Sequence, residues 1–184
     1  MKPRIIRGTS FLVIVILHMV FIASILFEKI NTTPILVIMC MISVFVTLAY
    51  VKVPLRHDTH FMDDFSVVLL VALGAAISYY FNIQLGLGPV LSVGLIGTVA
   101  SFVPKINKKS ERLQLVPGSI YCGSFIGMTK PSIATDWHFV LLAGTLAGIL
   151  LVFSKGVFHG MGGKLGTIAF GGVALASLFL FLFF

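Results

Sequence analysis

The feature that most limits what this chain can fold into is the recurrence of apolar runs of membrane-spanning length. A helix needs roughly 17 to 25 mostly apolar residues to cross a bilayer. Seven runs qualify, at about 10–27, 34–51, 65–81, 85–103, 113–129, 137–154 and 165–184. Prolines punctuate them: Pro34 opens the second run, and Pro54, Pro104 and Pro131 follow the ends of others, where a ring nitrogen without a proton is best tolerated. Only 10% of the 184 residues are charged and 58% are hydrophobic, with a mean hydropathy of +1.10. Soluble domains carry about a quarter charged residues, so the expected fold is an all-α polytopic integral membrane bundle of about seven helices. No polar stretch is long enough for a second domain, and residues 1–184 read as one membrane domain. The segment "MKPRIIRGTS" with the apolar run after it has the outline of a signal peptide. Its apolar part is of full span length and no A-x-A site follows, so it reads as a retained first helix.

Charge sets the expected orientation. With the N-terminus in the cytoplasm, 11 of the 13 basic residues fall in cytoplasmic segments and only Lys29 and Lys130 fall outside. Every loop then obeys the positive-inside rule. The formal net charge of +7 lies wholly on that face, suited to anionic lipid or to a soluble protein partner. The stretch "KINKKSER" is basic without interleaved aromatics, so nucleic acid is not an expected partner. The expected location is a bacterial inner (plasma) membrane.

Glycine divides the chain. Of 18 glycines only Gly8 precedes residue 74. Residues 10–51 therefore read as a peripheral, lipid-facing helix pair, and residues 65–184 as a glycine-rich packed core. In lipid, helices associate by close packing, and small residues let backbones approach. Ser119, Gly123 and Gly127 recur every four residues, as do Gly144 and Gly148. Such stripes also make a homo-oligomer an expected partner. Beyond packing, "LIGTVASF" is echoed by "KLGTIAF", and "LLVALGAAISYYF" by "LLAGTLAGILLVF". One span separates the two hairpins, so the relation would be an inverted-topology repeat, an arrangement common in secondary transporters.

Glycine also clusters at helix starts. "LGLGPV" precedes the fourth run, "HGMGGK" the seventh, and Pro117-Gly118 opens the fifth. Helix starts present unbonded N–H groups and a positive dipole end. The candidate solute site therefore comprises Gly88, Pro117, Gly118, Ser119, Gly160, Gly162, Gly163 and Lys164, with Gly160–Gly163 as a flexible or unwound entry. The leading functional expectation is a small channel or transporter for a small solute, anions included. The rival is a non-transporting sensor or anchor subunit whose basic cytoplasmic face docks a soluble partner.

Other motifs carry less. "GMGGKLGT" fails the phosphate-loop spacing, because Phe158 and Leu165 occupy required positions. No nucleophile-elbow pattern surrounds Ser119 or Ser124, and no enzymatic activity is expected. In "RHDTHFMDDF", His57, His60 and Asp64 share one helical face and are weak metal candidates. The plainer reading is a solvated loop in which Asp63 or Asp64 caps the third helix, and no cofactor is expected. His18 lies midway along the first run, where an ionisable residue is by default a functional hypothesis. No other histidine falls at its depth to complete a bis-histidine haem. Cys40 and Cys122 sit in apolar runs and read as packing residues. No carboxylate lies deep in any run, which argues against a carboxylate-based proton or cation antiporter.

Overall fold

The computed structural model describes residues 3–28, 37, 38, 40–45, 48, 65–154 and 163–183. Among them the chain is all-helical, with no strand. Helix α1 spans Pro3–Glu28, and the described positions between 37 and 48 are helical. Helix α2 (Ser66–Tyr79) widens into a π-helical turn over Tyr80–Gln84. Helix α3 (Pro89–Phe102) tightens into a 3₁₀ turn at Val103–Lys105. Helices α4 (Glu111–Ile126), α5 (Trp137–Phe153) and α6 (Lys164–Phe183) complete the chain. Two helices among the described residues are long and apolar enough to cross a membrane: Ser66–Gln84 and Lys164–Phe183. The apolar helices Pro89–Lys105 and Trp137–Phe153 are shorter.

Local chemistry explains the boundaries. The π turn ends where the Leu85 N–H donates to the Tyr80 carbonyl at 3.1 Å and the Leu87 N–H to the Phe81 carbonyl at 3.1 Å. Gly86 and Gly88 follow at φ +64° and +78°, backbone positions that L side chains rarely adopt. Pro89 then takes the first position of α3, where its missing N–H has no consequence. Asp136 caps α5 by accepting the Phe139 N–H at 2.8 Å.

Helix α4 starts close to the expected run, but not at Pro117-Gly118. It begins at Glu111, and Pro117 lies in its interior. The proline removes the N–H that would bond the Leu113 carbonyl, yet the helix continues through it. Sixteen residues rise about 24 Å, so this segment is longer than a helix opening at Pro117-Gly118 would be. Those two residues therefore offer no helix-start N–H groups to a ligand.

The bundle centres on α2. A Cβ added at Gly123 would strike the Val71 carbonyl oxygen, and one at Gly74 the Ile120 carbonyl oxygen. One at Gly127 would stand 2.5 Å from the Ser78 Cβ. These three contacts seat α4 on α2 at backbone level. On the other side of α2, Gly144 and Gly148 bring α5 down onto Ala72 and Val68. Gly172 seats α6 on α5, where a Cβ would lie 2.6 Å from the Ala143 carbonyl oxygen. Val71, Ala75, Cys122, Val140, Ala143, Ala147 and Ile168 are fully buried in the resulting core.

Helix α1 is not free of this core. Ile22 is buried, Phe11 packs against the central cluster, and Leu17 reaches toward Gly171 of α6. Leu12, Ile16 and Val20, four residues apart, form its exposed stripe.

Helix α3 is held differently. Its contacts with α2 and α4 run through a small cluster of side chains, Ile96 and Ala100 with Ile120, flanked by Leu70, Ile77, Phe81 and Val116. Gly97 meets the Tyr121 ring rather than a backbone, and Gly94 faces open space.

Candidate functional site

The candidate residues fall in three places rather than one. Pro117 and Gly118 line a cleft of about 310 Å³ with Gly97 of α3 and Tyr121 of α4. Tyr121 is packed edge-on against Phe125, with ring centroids 4.7 Å apart, which fixes the cleft's aromatic wall. Ser119 is buried, and its hydroxyl donates to the Leu115 carbonyl one turn back at 2.8 Å. That bond satisfies the hydroxyl within its own helix.

The start of α6 is the second place. Gly163 sits at φ +85°, and its carbonyl accepts the Thr167 N–H at 2.9 Å, so the helix begins in ordinary fashion after a left-handed residue. Alanine at Gly163 would therefore be strained, because an L side chain rarely adopts that backbone conformation. Lys164 is half-buried. Beside it, the Cys122 thiol donates to the Leu165 carbonyl at 3.4 Å and ties α4 to α6. Ser119 and Cys122 are three residues apart on α4, so they share a helical face. Gly160 and Gly162 lie outside the described residues.

Gly88 is the third, at the opposite end of α3 from Val103. Its carbonyl accepts both the Ser92 hydroxyl at 2.7 Å and the Ser92 N–H at 3.2 Å. Nine residues of α3 separate it from Gly97, about 13 Å along the axis. The metal candidates His57, His60 and Asp64, with Asp63, lie outside the described residues, as does the side chain of His18.

Two features had no signal in the reading of motifs. The first is a set of hydrogen bonds that fastens the end of α2 to α4 and to the connection after it. The Ser78 hydroxyl donates to the Ser124 carbonyl at 2.9 Å, the Asn82 amide to the Gly127 carbonyl at 2.9 Å, and the Tyr79 hydroxyl to the Ala134 carbonyl at 3.2 Å. Trp137 meets the Tyr79 ring edge-on, with centroids 5.2 Å apart. Polar residues spaced 78, 79 and 82 on one apolar helix were the available clue.

The second is an apolar cleft between α2, α3 and α4, also of about 310 Å³. Leu70, Leu73, Ile77 and Phe81 form one wall, Leu95, Ile96, Val99, Ala100 and Val103 another, and Val116 and Ile120 the floor. Its lining is wholly apolar side chains. From Leu70 to Phe81 it runs about 16 Å along α2, and Leu73, Leu95 and Val99 at its rim are exposed. No family model matches the chain, and no curated protein or solved structure matches it.

Proposed function

We propose that the chain is a polytopic integral membrane protein, a seven-span bundle with its N-terminus in the cytoplasm, that works as a small transporter or channel. The membrane reading is supported by how side chains are distributed. Leu69, Val90 and Phe181 are 75%, 77% and 84% exposed, while glycine, alanine and valine are prominent in the interior and its polar side chains are serines. Water would not favour so continuous an apolar exterior; lipid favours both it and the close glycine seams. The similar hairpins α2–α3 and α5–α6 fit an inverted-topology repeat.

The observation that carries the transport reading is the asymmetry of attachment. Helices α2, α4, α5 and α6 meet at glycine seams against backbone, whereas no glycine of α3 meets a neighbouring backbone and its described packing runs through the Ile96–Ala100–Ile120 cluster and the Tyr121 ring. It also follows the left-handed Gly86–Gly88 turn and tightens into a 3₁₀ turn at Val103–Lys105. A helix attached in this way can move against a rigid unit, which is what alternating access or gating requires. The clefts on both sides of α3 are where such motion would open a path.

The test is to staple α3. Cysteines replace Leu73 and Val99, two residues of one cleft, in a Cys40→Ser, Cys122→Ala background, and a short reducible bismaleimide joins them. Uptake of chloride, phosphate and acetate into proteoliposomes is measured before and after stapling. Flux of at least one probe should fall on stapling and return on reduction. Flux unchanged by a complete staple, or no flux of any probe, rejects the transport reading.

The rival subunit reading keeps one specific observation in its favour. Lys105, Lys108, Lys109 and Arg112 are all exposed on the connection between α3 and α4, a basic surface fit for an acidic partner. Retention of a soluble protein from native membranes by the wild type, lost on neutralising those residues, would favour it.

A further inference from the structure

The apolar cleft and the basic connection are neighbours in sequence and in space. Val103 is the last cleft-lining residue of α3, and Lys105 follows two residues later. The Lys105 ammonium lies over the Phe102 ring, 4.5 Å from its centroid, which gives that cation a fixed place at the end of α3. Hydrogen bonds shape the connection beyond it. The Ile106 N–H donates to the Val103 carbonyl, the Ser110 N–H to the Asn107 carbonyl, and the Lys109 N–H to the Asn107 Oδ1 at 3.1 Å. The Gln114 amide reaches back to the Lys108 carbonyl at 3.3 Å and binds the connection to α4. Four cations stand on this ordered segment against one carboxylate, Glu111.

A wholly apolar slot of about 310 Å³ whose last residue on this side, Val103, is followed directly by a run of exposed cations matches one chemistry. An acyl chain fills the slot by packing along its length, since within a bilayer close packing rather than exclusion of water favours the contact. A phosphate attached to that chain meets the ammonium groups at the slot's end. Clefts of this size are at the lower end of those that bury small ligands, roughly 300 Å³ and above. Basic pockets between helices at the cytoplasmic side are the expected place for anionic headgroups.

We propose that the α2–α3–α4 cleft is a binding site for an anionic phospholipid, with one acyl chain between Leu73 and Val99 and the headgroup on Lys105, Lys108 and Lys109. It rests on the membrane reading but not on transport. The exposed described positions between residues 37 and 48 leave the second apolar run of this chain, or a second copy, as competing occupants.

The experiment is native mass spectrometry of the full chain released from detergent, with phosphatidylglycerol and phosphatidylcholine of identical chains at equal excess. Wild type should retain phosphatidylglycerol in preference by at least about tenfold, less than the three cations together could supply. The exposed triple substitution Lys105→Gln, Lys108→Gln, Lys109→Gln should abolish that preference. Leu73→Trp, at the exposed rim, should fill the slot and lower retention of both lipids while the basic cap stays intact. Circular dichroism and a single gel-filtration peak establish that each variant is folded. Loss in the triple variant but not in Leu73→Trp means surface attraction only, and overturns the site. Loss in Leu73→Trp alone overturns the anionic assignment. Crosslinking of Leu73→Cys to Cys40, within or between chains, with no lipid retained, assigns the cleft to protein instead. Failure of the membrane reading is distinguishable from all of these: the chain would leave the membrane fraction in alkaline carbonate.

Discussion

Gly144 of α5 lies so close to Ala72 of α2 that a Cβ on the glycine would stand 2.9 Å from the Ala72 Cα. The two residues also occupy the same place, the fourth, in the similar segments Leu69–Phe81 and Leu141–Phe153. A contact between equivalent positions of two antiparallel helices is what the proposed inverted repeat requires of this pair. The partners of these helices break the correspondence. Gly172 presses α6 onto the α5 backbone, whereas α3 stands off from α2 across the apolar cleft.

The seams make the first prediction. Gly144→Leu, Gly123→Leu and Gly127→Leu each drive a side chain into backbone. Overpacking commonly costs about 1–3 kcal/mol, and these sites should lie at or above the upper end because the obstructing atoms cannot rotate away. Gly94→Leu, with nothing within 4 Å of an added Cβ, should change thermal stability little. Equal melting temperatures for the Gly123 and Gly94 variants in detergent would contradict the packing described.

Helix α1 supplies a second comparison. Leu17 faces Gly171, while Leu12 is 56% exposed. Leu17→Phe should therefore lower the melting temperature and Leu12→Phe should leave it unchanged. From sequence alone both substitutions look silent, since the first run is apolar all round and shows no packed face. A thermal-shift assay on the pair decides whether α1 is part of the core.

What was legible in the sequence follows from what each signal measures. Helix positions after residue 65 were readable because apolar run length and flanking prolines report them directly. The glycine pattern marked where α2, α4, α5 and α6 would meet, because only a missing Cβ lets backbones touch. The apolar run from about 113 anticipates α4, but Pro117-Gly118 does not open it: a proline favours a first turn, yet surrounding helices can hold one in a helix interior when its lost hydrogen bond is local. The grouping of site residues failed for a related reason. Helix starts were ranked by glycine content, yet Gly88, Pro117 and Lys164 sit on different helices at different depths. The apolar cleft has no sequence signature, because Leu70 and Val99 look the same whether they face lipid, core or a slot.

The third prediction concerns pH. The Asp136 carboxyl is held below its usual value of 3.8, chiefly by the hydrogen bond from the Phe139 N–H and further by His138, whose Nδ1 lies 3.5 Å away. A depressed folded-state value means the carboxylate form stabilises the native state. That contribution is complete above the ordinary value and is lost as pH falls through the lowered one. Melting curves at about pH 6 and about pH 3 should show a larger acid-induced drop for wild type than for Asp136→Asn, since asparagine still caps a helix but does not titrate there. Identical drops would remove Asp136 from the acid response.

Topology is a fourth and simpler test. In a Cys40→Ser, Cys122→Ala background, single cysteines at Asn107 and Ser132 mark the two ends of α4, and both positions are exposed. An impermeant maleimide added to intact cells should label the Ser132→Cys variant and spare Asn107→Cys, which labels only after the membrane is opened. Labelling of both from the same side would be incompatible with α4 crossing.

The start of α6 provides the last prediction, and it separates backbone shape from charge. Gly163 has φ +85°, so Gly163→Ala forces an L residue into the left-handed region at about 1–2 kcal/mol. No added atom is obstructed there, since nothing lies within 4 Å of a Cβ at that position. Gly163→Ala should therefore lower stability through conformation alone, and Gly163→Asn, which tolerates the left-handed region better, should recover part of it. Lys164→Gln keeps the helix and removes a cation from beside Cys122 and Leu165. If Lys164 contributes to an anion site, anion flux in proteoliposomes should fall while the melting temperature holds. If Lys164 only marks the membrane boundary, both measurements should match wild type. Unchanged flux in Lys164→Gln alongside a lowered melting temperature in Gly163→Ala would leave α6's first turn a structural device, with no place in a solute site.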